Sequence, residues 1–270
     1  MTKGSGGTSP SPMHCPIPHA ATRTESACGY NARMTLLLDN QMEQASEALA
    51  KMDYLACESL CEAALAQAKR QGDWAYYGRI LLPLQECRRQ RRMIAAEGAI
   101  RLGTSAQGGG PATWLEHLAS GCIVITHPHS HGEAARLLHE VRERRLFIEV
   151  LFADSRVNDS TWRIATFTGQ RKATVEIPAP PVAERDRWLL PASGGKVEKS
   201  DSSFRGATPP KAQWFVEASE KLGDALLAGV KATSPFDLVD VLEACLVGAP
   251  DHEILHQRLA EAAKAARLTK

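Results

Sequence analysis

Residues 122–152, CIVITHPHSHGEAARLLHEVRERRLFIEVLF, decide the fold class. Cys122-Ile123-Val124-Ile125-Thr126 is a short continuous apolar run, the mark of a strand buried on both faces. Glu133 to Arg145 follows a helical period, with Ala134, Leu137, Leu138 and Val141 inward and Glu140/Arg144 as an i,i+4 pair of favourable order. Leu146–Phe152 is a second buried run. Strand, helix and strand over about 30 residues make one βαβ unit, expected to be parallel and right-handed. Beyond it, Thr161–Phe167 and Ala173–Ile177 alternate around Gly169 and predict an antiparallel hairpin.

Working outward, both flanks are helical. Toward the N-terminus the helical period runs from Thr35 to Arg101. Tyr54, Cys57, Leu60, Cys61, Ala64, Leu65 and Ala68 form one apolar face, and Trp74, Tyr77, Leu81, Leu84 and Cys87 repeat it one hairpin later. Gln71-Gly72-Asp73 supplies the break, with Gly72 ending one helix and Asp73 capping the next. Toward the C-terminus, Phe215, Ala218, Leu222 and Leu226 predict one helix and Leu238, Val241, Leu242, Cys245 and Leu246 another. Gly248-Ala249-Pro250 separates these from a last helix with Leu255, Leu259, Ala262 and Ala266 inward, for which Asp251 is the expected cap.

The N-terminal helices resemble a known family. Asp53-Tyr54-Leu55-Ala56-Cys57, continuing to Ala64-Leu65, looks like the turn and second helix of a tetratricopeptide repeat. Trp74, Tyr77-Gly78 and Leu81 are similar to the opening signature of the following repeat. The resemblance covers about residues 38–101. The helix before Asp53 lacks the opening Trp, and Pro83 is expected to interrupt the helix that Trp74 opens. Such repeats stack helices into a concave surface that holds a peptide or a partner helix, so the resemblance implies protein binding. At most two repeats are present, fewer than the three that usually stand alone, so the α/β unit or a partner must complete their core.

The whole chain of 270 residues carries 32 Lys and Arg against 31 Asp and Glu, a net charge of +1, with 44% hydrophobic residues. That balance argues against a dedicated nucleic-acid or anionic-membrane protein, since both need a basic excess. Seven scattered cysteines are no disulfide frame, and the opening stretch has no apolar signal core, so a cytoplasmic protein is expected. The sequence divides into a disordered tail at 1–33 and a helical unit at 34–102. A small α/β unit at 111–190, a flexible loop at 191–210 and C-terminal helices at 211–268 follow. The Gly108–Pro111 run marks the first boundary within this chain's centre. His14, Cys15, His19 and Cys28 lack the paired short spacing of a metal site, and Ser193-Gly194-Gly195-Lys196 lacks the first glycine and the final hydroxyl residue of a phosphate loop.

Three local patterns invite a chemical reading. Arg88, Arg89, Arg91 and Arg92 are the dense basic run, expected to be a solvated helix face. The alternative is a patch for an acidic partner or nucleic acid, although no aromatic residues interleave with it. Thr126-His127-Pro128-His129-Ser130-His131 stands at the end of a buried strand, where ligands of parallel sheets bind. It is similar to the strand-end histidine motif of metallo-β-lactamase-type hydrolases, but His131 replaces the Asp and Gly132 the next His, and a polar loop is expected. His252-Glu253-Ile254-Leu255-His256 matches the zincin string, in which two imidazoles on one helix face hold zinc and the glutamate activates a bound water. A third ligand would have to come from His127, His129 or His131. Two exposed histidines on a terminal helix are expected instead, with no metal, cofactor or catalytic residue. The expected function is therefore a non-enzymatic protein-binding or scaffold role on the helical surface, with neither membrane nor nucleic acid as partner. The alternative is a metal-dependent hydrolase built on His252, Glu253 and His256.

Overall fold

The computed structural model describes residues 23–103, 115, 118–154, 160–180 and 212–269. The chain is of the mixed α/β class, with helices before and after a central sheet. The first helix, α1 (Arg23–Ala50), begins well before the residue 34 at which the sequence places the helical unit. The residue 1–22 part of the expected tail, the Gly108–Pro111 boundary, the 191–210 loop and the Ser193–Lys196 segment lie outside the described residues.

Two aspartates start the next helices. Asp53 accepts from the Ala56 amide at 3.1 Å and opens α2 (Tyr54–Gln71). Asp73 accepts from the Tyr76 amide at 2.9 Å and opens α3 (Trp74–Glu97). Between them Gly72 takes the left-handed conformation, φ 65°, and its amide closes α2 on Ala68 and Lys69. The expectation for Pro83 is corrected: α3 runs straight through it. A mid-helix proline forfeits one hydrogen bond and crowds the preceding turn. The buried Leu84, Cys87, Arg88, Arg91 and Ala95 beyond it hold the rest of the helix in place.

The helical reading of residues up to Arg101 is also corrected. After Glu97 the chain turns at Gly98 into strand β1 (Ala99–Gly103). A Cβ on Gly98 would lie 2.7 Å from the backbone of Ser120 and Gly121, so only glycine lets β1 start against its neighbour. The strands β2 (Ser120–Thr126), β3 (Phe147–Asp154), β4 (Thr161–Ala165) and β5 (Thr174–Pro178) complete a five-stranded sheet in sequential order. β1, β2 and β3 are parallel, with Val124 opposite both Leu102 and Leu151. β3, β4 and β5 are antiparallel. The helix α4 (His131–Glu143) connects β2 to β3, which is the βαβ unit read from residues 122–152.

Both faces of the sheet are covered, which is why its strands read as continuous apolar runs. Ile123, Ile125, Ile148, Val150 and Phe152 face α4 and its Ala134, Leu137 and Val141. Cys122, Val124, Leu151 and Ala153 face the other way. There they meet Ala95 of α3 and Phe215, Ala218 and Leu222 of α5 (Gln213–Ala228). A third core joins the two ends of the chain. Residues of α1, α2 and α3 pack with those of α6 (Pro235–Gly248) and α7 (Glu253–Leu268), and α7 lies directly on α3. The second repeat-like hairpin thus has no second helix after it in sequence. β1 follows α3 instead, and the C-terminal helix packs on α3.

Candidate functional site

The arginine run does not form the solvated face expected of it. Arg88 and Arg91 are buried and Arg92 is largely so; Arg89 alone of the four is exposed, paired with Glu86. The helical period turns Arg88, Arg91 and Arg92 inward and Arg89 outward. Arg88 reaches Glu58 at 2.8 Å and Glu62 at 2.6 Å, and donates to the Pro250 carbonyl at 3.2 Å. Arg91 bridges Glu58 and Glu149, the latter at 2.8 Å. Arg92 meets Glu220 at 2.5 Å and Asp251 at 3.0 Å. One guanidinium row on α3 thereby ties α2, β3, α5 and the turn before α7 together. Burial by itself would raise the Glu58 carboxyl, but Arg91 and Arg88 hold it down at about 2. Glu149 is the signal that sequence reading passed over. A carboxylate inside an otherwise apolar strand demands a buried cation.

The expectation for the zincin string is likewise corrected, since His252 is 2% and His256 1% exposed. His252 rather than Asp251 is the N-cap of α7, its Nδ1 accepting from the Leu255 amide at 3.3 Å. With Nδ1 accepting, the proton stands on Nε2, which faces Asp224 at 3.3 Å and Glu220 at 3.5 Å. The ring fits against α5 because Gly223 has no side chain there. A Cβ would lie 2.2 Å from the His252 ring. His256 donates from Nε2 to the Pro250 carbonyl at 2.8 Å. Burial first, and then the Arg88 charge, push this imidazole down to about 4, so it is neutral at pH 7. Glu253 is exposed and accepts from Gln257 at 3.0 Å. The two histidines therefore direct their ring nitrogens to different partners, and the glutamate leaves them for solvent. Among the described residues no group of three or more His, Cys, Asp and Glu side chains is placed to hold a metal ion.

The strand-end histidines begin a helix. Ser130 caps α4, its hydroxyl accepting from the Glu133 amide, while Glu133 accepts from the Ser130 amide at 2.8 Å. His129 Nδ1 lies 3.3 Å from the same carboxylate. Hydrogen bonds from the Ser130 backbone and hydroxyl, then from His129, hold Glu133 at about 2. His131 stacks on Phe152 with ring centroids 4.0 Å apart, and His127 is exposed before a cis peptide bond to Pro128. None of the three approaches α7 as a further ligand of the zincin string.

Two concave surfaces of several hundred Å³ lie among the described residues. One lies between α1 and α3 and has a volume of about 660 Å³. Asp39, Met42, Glu43, Ser46 and Leu49 share one face of α1, and Tyr76, Arg79, Leu82, Pro83 and Glu86 supply the α3 wall. Tyr76 donates to Asp39, and the Arg79 guanidinium lies 4.9 Å over the Tyr76 ring. Leu82 is 73% exposed. The second surface is a cleft of about 690 Å³ where α2 and α3 meet α4 and α6. Its apolar lining includes Leu65, Leu84, Leu138, Leu246 and Leu259, and charged side chains surround it.

The fold and these surfaces define a mixed α/β protein whose concave faces are built by helices. The chain matches no family model, no curated protein and no solved structure. No helix among the described residues is long and apolar enough to cross a membrane.

Proposed function

We propose that this is a non-enzymatic protein-binding or scaffold protein that holds a peptide or partner helix between α1 and α3. The observation that carries this reading is Leu82, a large apolar side chain left exposed on the wall of a groove that also offers Met42 and Leu49. Apolar side chains gathered in a concavity and rimmed by polar groups are what a protein partner covers. The Tyr76–Asp39 hydrogen bond and the Arg79 stack keep the polar wall ordered before a partner arrives, which lowers the entropy cost of binding. The tetratricopeptide-like pattern of Asp53–Cys57 and Trp74–Leu81 implies a surface of the same kind. The free, buried Cys57, Cys61, Cys87, Cys122 and Cys245 favour a reducing, cytoplasmic setting.

Displayed helical peptides selected on the full chain test the proposal, with affinities measured by calorimetry on the wild type and on Leu82→Asp. The expected outcome is a loss of at least about tenfold, or about 1.4 kcal/mol, in the variant. Peptides that bind the two proteins equally would place the binding surface elsewhere and end this reading.

A further inference from the structure

We infer that the cleft between α2, α3, α4 and α6 binds an amphipathic monocarboxylate, an apolar chain that ends in a single carboxylate received by Arg142. The site is separate from the α1–α3 groove, and the inference does not depend on the function proposed there.

The volume of about 690 Å³ lies within the usual range for small-molecule sites, and five leucines line it as an apolar floor. Four cations line the cleft and are not equivalent; Arg70 is exposed, so water already solvates and screens its charge. Lys69 is bound by Asp240 and Glu243, and Tyr77 donates to Glu243 as well. Arg88 is bound by Glu58, Glu62 and the Pro250 carbonyl. The Arg142 guanidinium, on α4, makes no hydrogen bond among the described residues. Its Nη1 is buried without a partner, and its Nη2 stands 3.8 Å from the Glu149 carboxylate, beyond hydrogen-bond reach. Glu149 already serves Arg91. Burial and the neighbouring Arg91 disfavour the Arg142 charge by more than the Glu149 and Glu58 carboxylates favour it. A cation so placed, largely buried and short of acceptors, gains most from an anion brought into the cleft.

The same surroundings select the head group. Glu58, Glu62 and Glu243 are matched at the cleft by Arg88 and Lys69, which leaves the Arg142 guanidinium as one charge to balance. A single carboxylate does so, and a dianionic head would carry a charge in excess. A planar carboxylate also matches the guanidinium fork in a way that one point of charge cannot. The leucine floor requires an apolar chain behind it, which excludes a short acid such as acetate as an adequate ligand.

Calorimetric titration of the full chain with decanoate, decanol, acetate and decyl phosphate tests the inference. Decanoate should bind at least about tenfold more tightly than each of the other three. Arg142→Met should weaken decanoate at least about tenfold and leave decanol unchanged. Ala66→Trp, a substitution on the exposed side of α2 that fills the cleft without touching its charges, should abolish binding of both. If Arg142→Met does not fold, Ala66→Trp decides whether the cleft is the site, and decanoate against decanol decides whether a carboxylate is needed. Decanoate no tighter than decanol or than decyl phosphate would overturn the inference. So would full decanoate affinity in either variant.

Discussion

At His256 a neutral imidazole donates from Nε2 to Pro250 with the Arg88 charge nearby. Its ordinary value of 6.5 is pushed down to about 4 by burial and then by Arg88, and the sign of the consequence follows from that direction. The unfolded chain takes up the proton more readily, so the contribution of His256 is complete above about 6.5 and is lost as pH falls toward about 4. Urea unfolding between pH 7 and pH 4 should show a decline of up to about 3 kcal/mol from this group. His256→Gln should remove that part of the slope. His252 has a different dependence, on space. Gly223→Ala places a methyl group where the His252 ring lies, and should cost about 1–3 kcal/mol by thermal or urea melts. Both residues show why the zincin string misleads. The string specifies which atoms are present, and the neighbours Pro250, Leu255, Asp224 and Gly223 specify what those atoms do.

The helix α3 concentrates the element-scale physics. Its start and its N-terminal face were legible in Asp73, Trp74, Tyr77, Leu81 and Leu84, because caps and apolar periodicity are local properties. Its passage through Pro83 was not. A proline costs a helix interior about 3 kcal/mol, and whether the chain accepts that cost depends on what the following turns bury. Here they bury Cys87, Arg88, Arg91 and Ala95. Pro83→Ala should therefore raise stability by about 1–3 kcal/mol in urea melts while leaving the fold unchanged. Its end, at Glu97, comes earlier than the apolar period suggests. Ala99-Ile100-Arg101-Leu102-Gly103 continues a helical-looking pattern, and only pairing with β2 makes it a strand.

For the whole molecule, the Arg88–Arg91–Arg92 row is the joint between helices and sheet. Arg91 is fully buried between Glu58 of α2 and Glu149 of β3. Arg91→Met should destabilise by about 3–5 kcal/mol in urea melts, because it takes from Glu58 one of its two arginines and leaves the buried Glu149 carboxylate with Arg142 alone, 3.8 Å away. Replacing all three of Glu58, Arg91 and Glu149 with apolar side chains of similar size should recover part of that loss, since Arg88 keeps Glu62 while Arg142 loses Glu149. Glu58 adds an acid limit of its own. Its carboxyl is held at about 2 against an ordinary 4.5, so its contribution is complete above about 4.5 and is lost as pH falls toward about 2. The two pH windows differ, so a single titration series separates the His256 joint from the acid limit, which Glu58 shares with Glu133.

The sequence by itself determined the elements whose causes are local. The buried runs at Cys122–Thr126 and Leu146–Phe152, the hairpin around Gly169, the aspartate cap at Asp73 and the C-terminal helical faces all follow from alternation, period and capping chemistry. Those rules act over one to four residues. The tertiary structure alone decided which polar groups are buried and what they touch. Arg91 is as basic in a solvated helix face as it is between Glu58 and Glu149, and His256 is the same side chain as a metal ligand or as a donor to Pro250. The partners in each case lie far along the chain, on elements brought together by packing of the three cores. That packing, a sum over apolar contacts from both ends of the sequence, sets the dielectric and the neighbours that fix each charge.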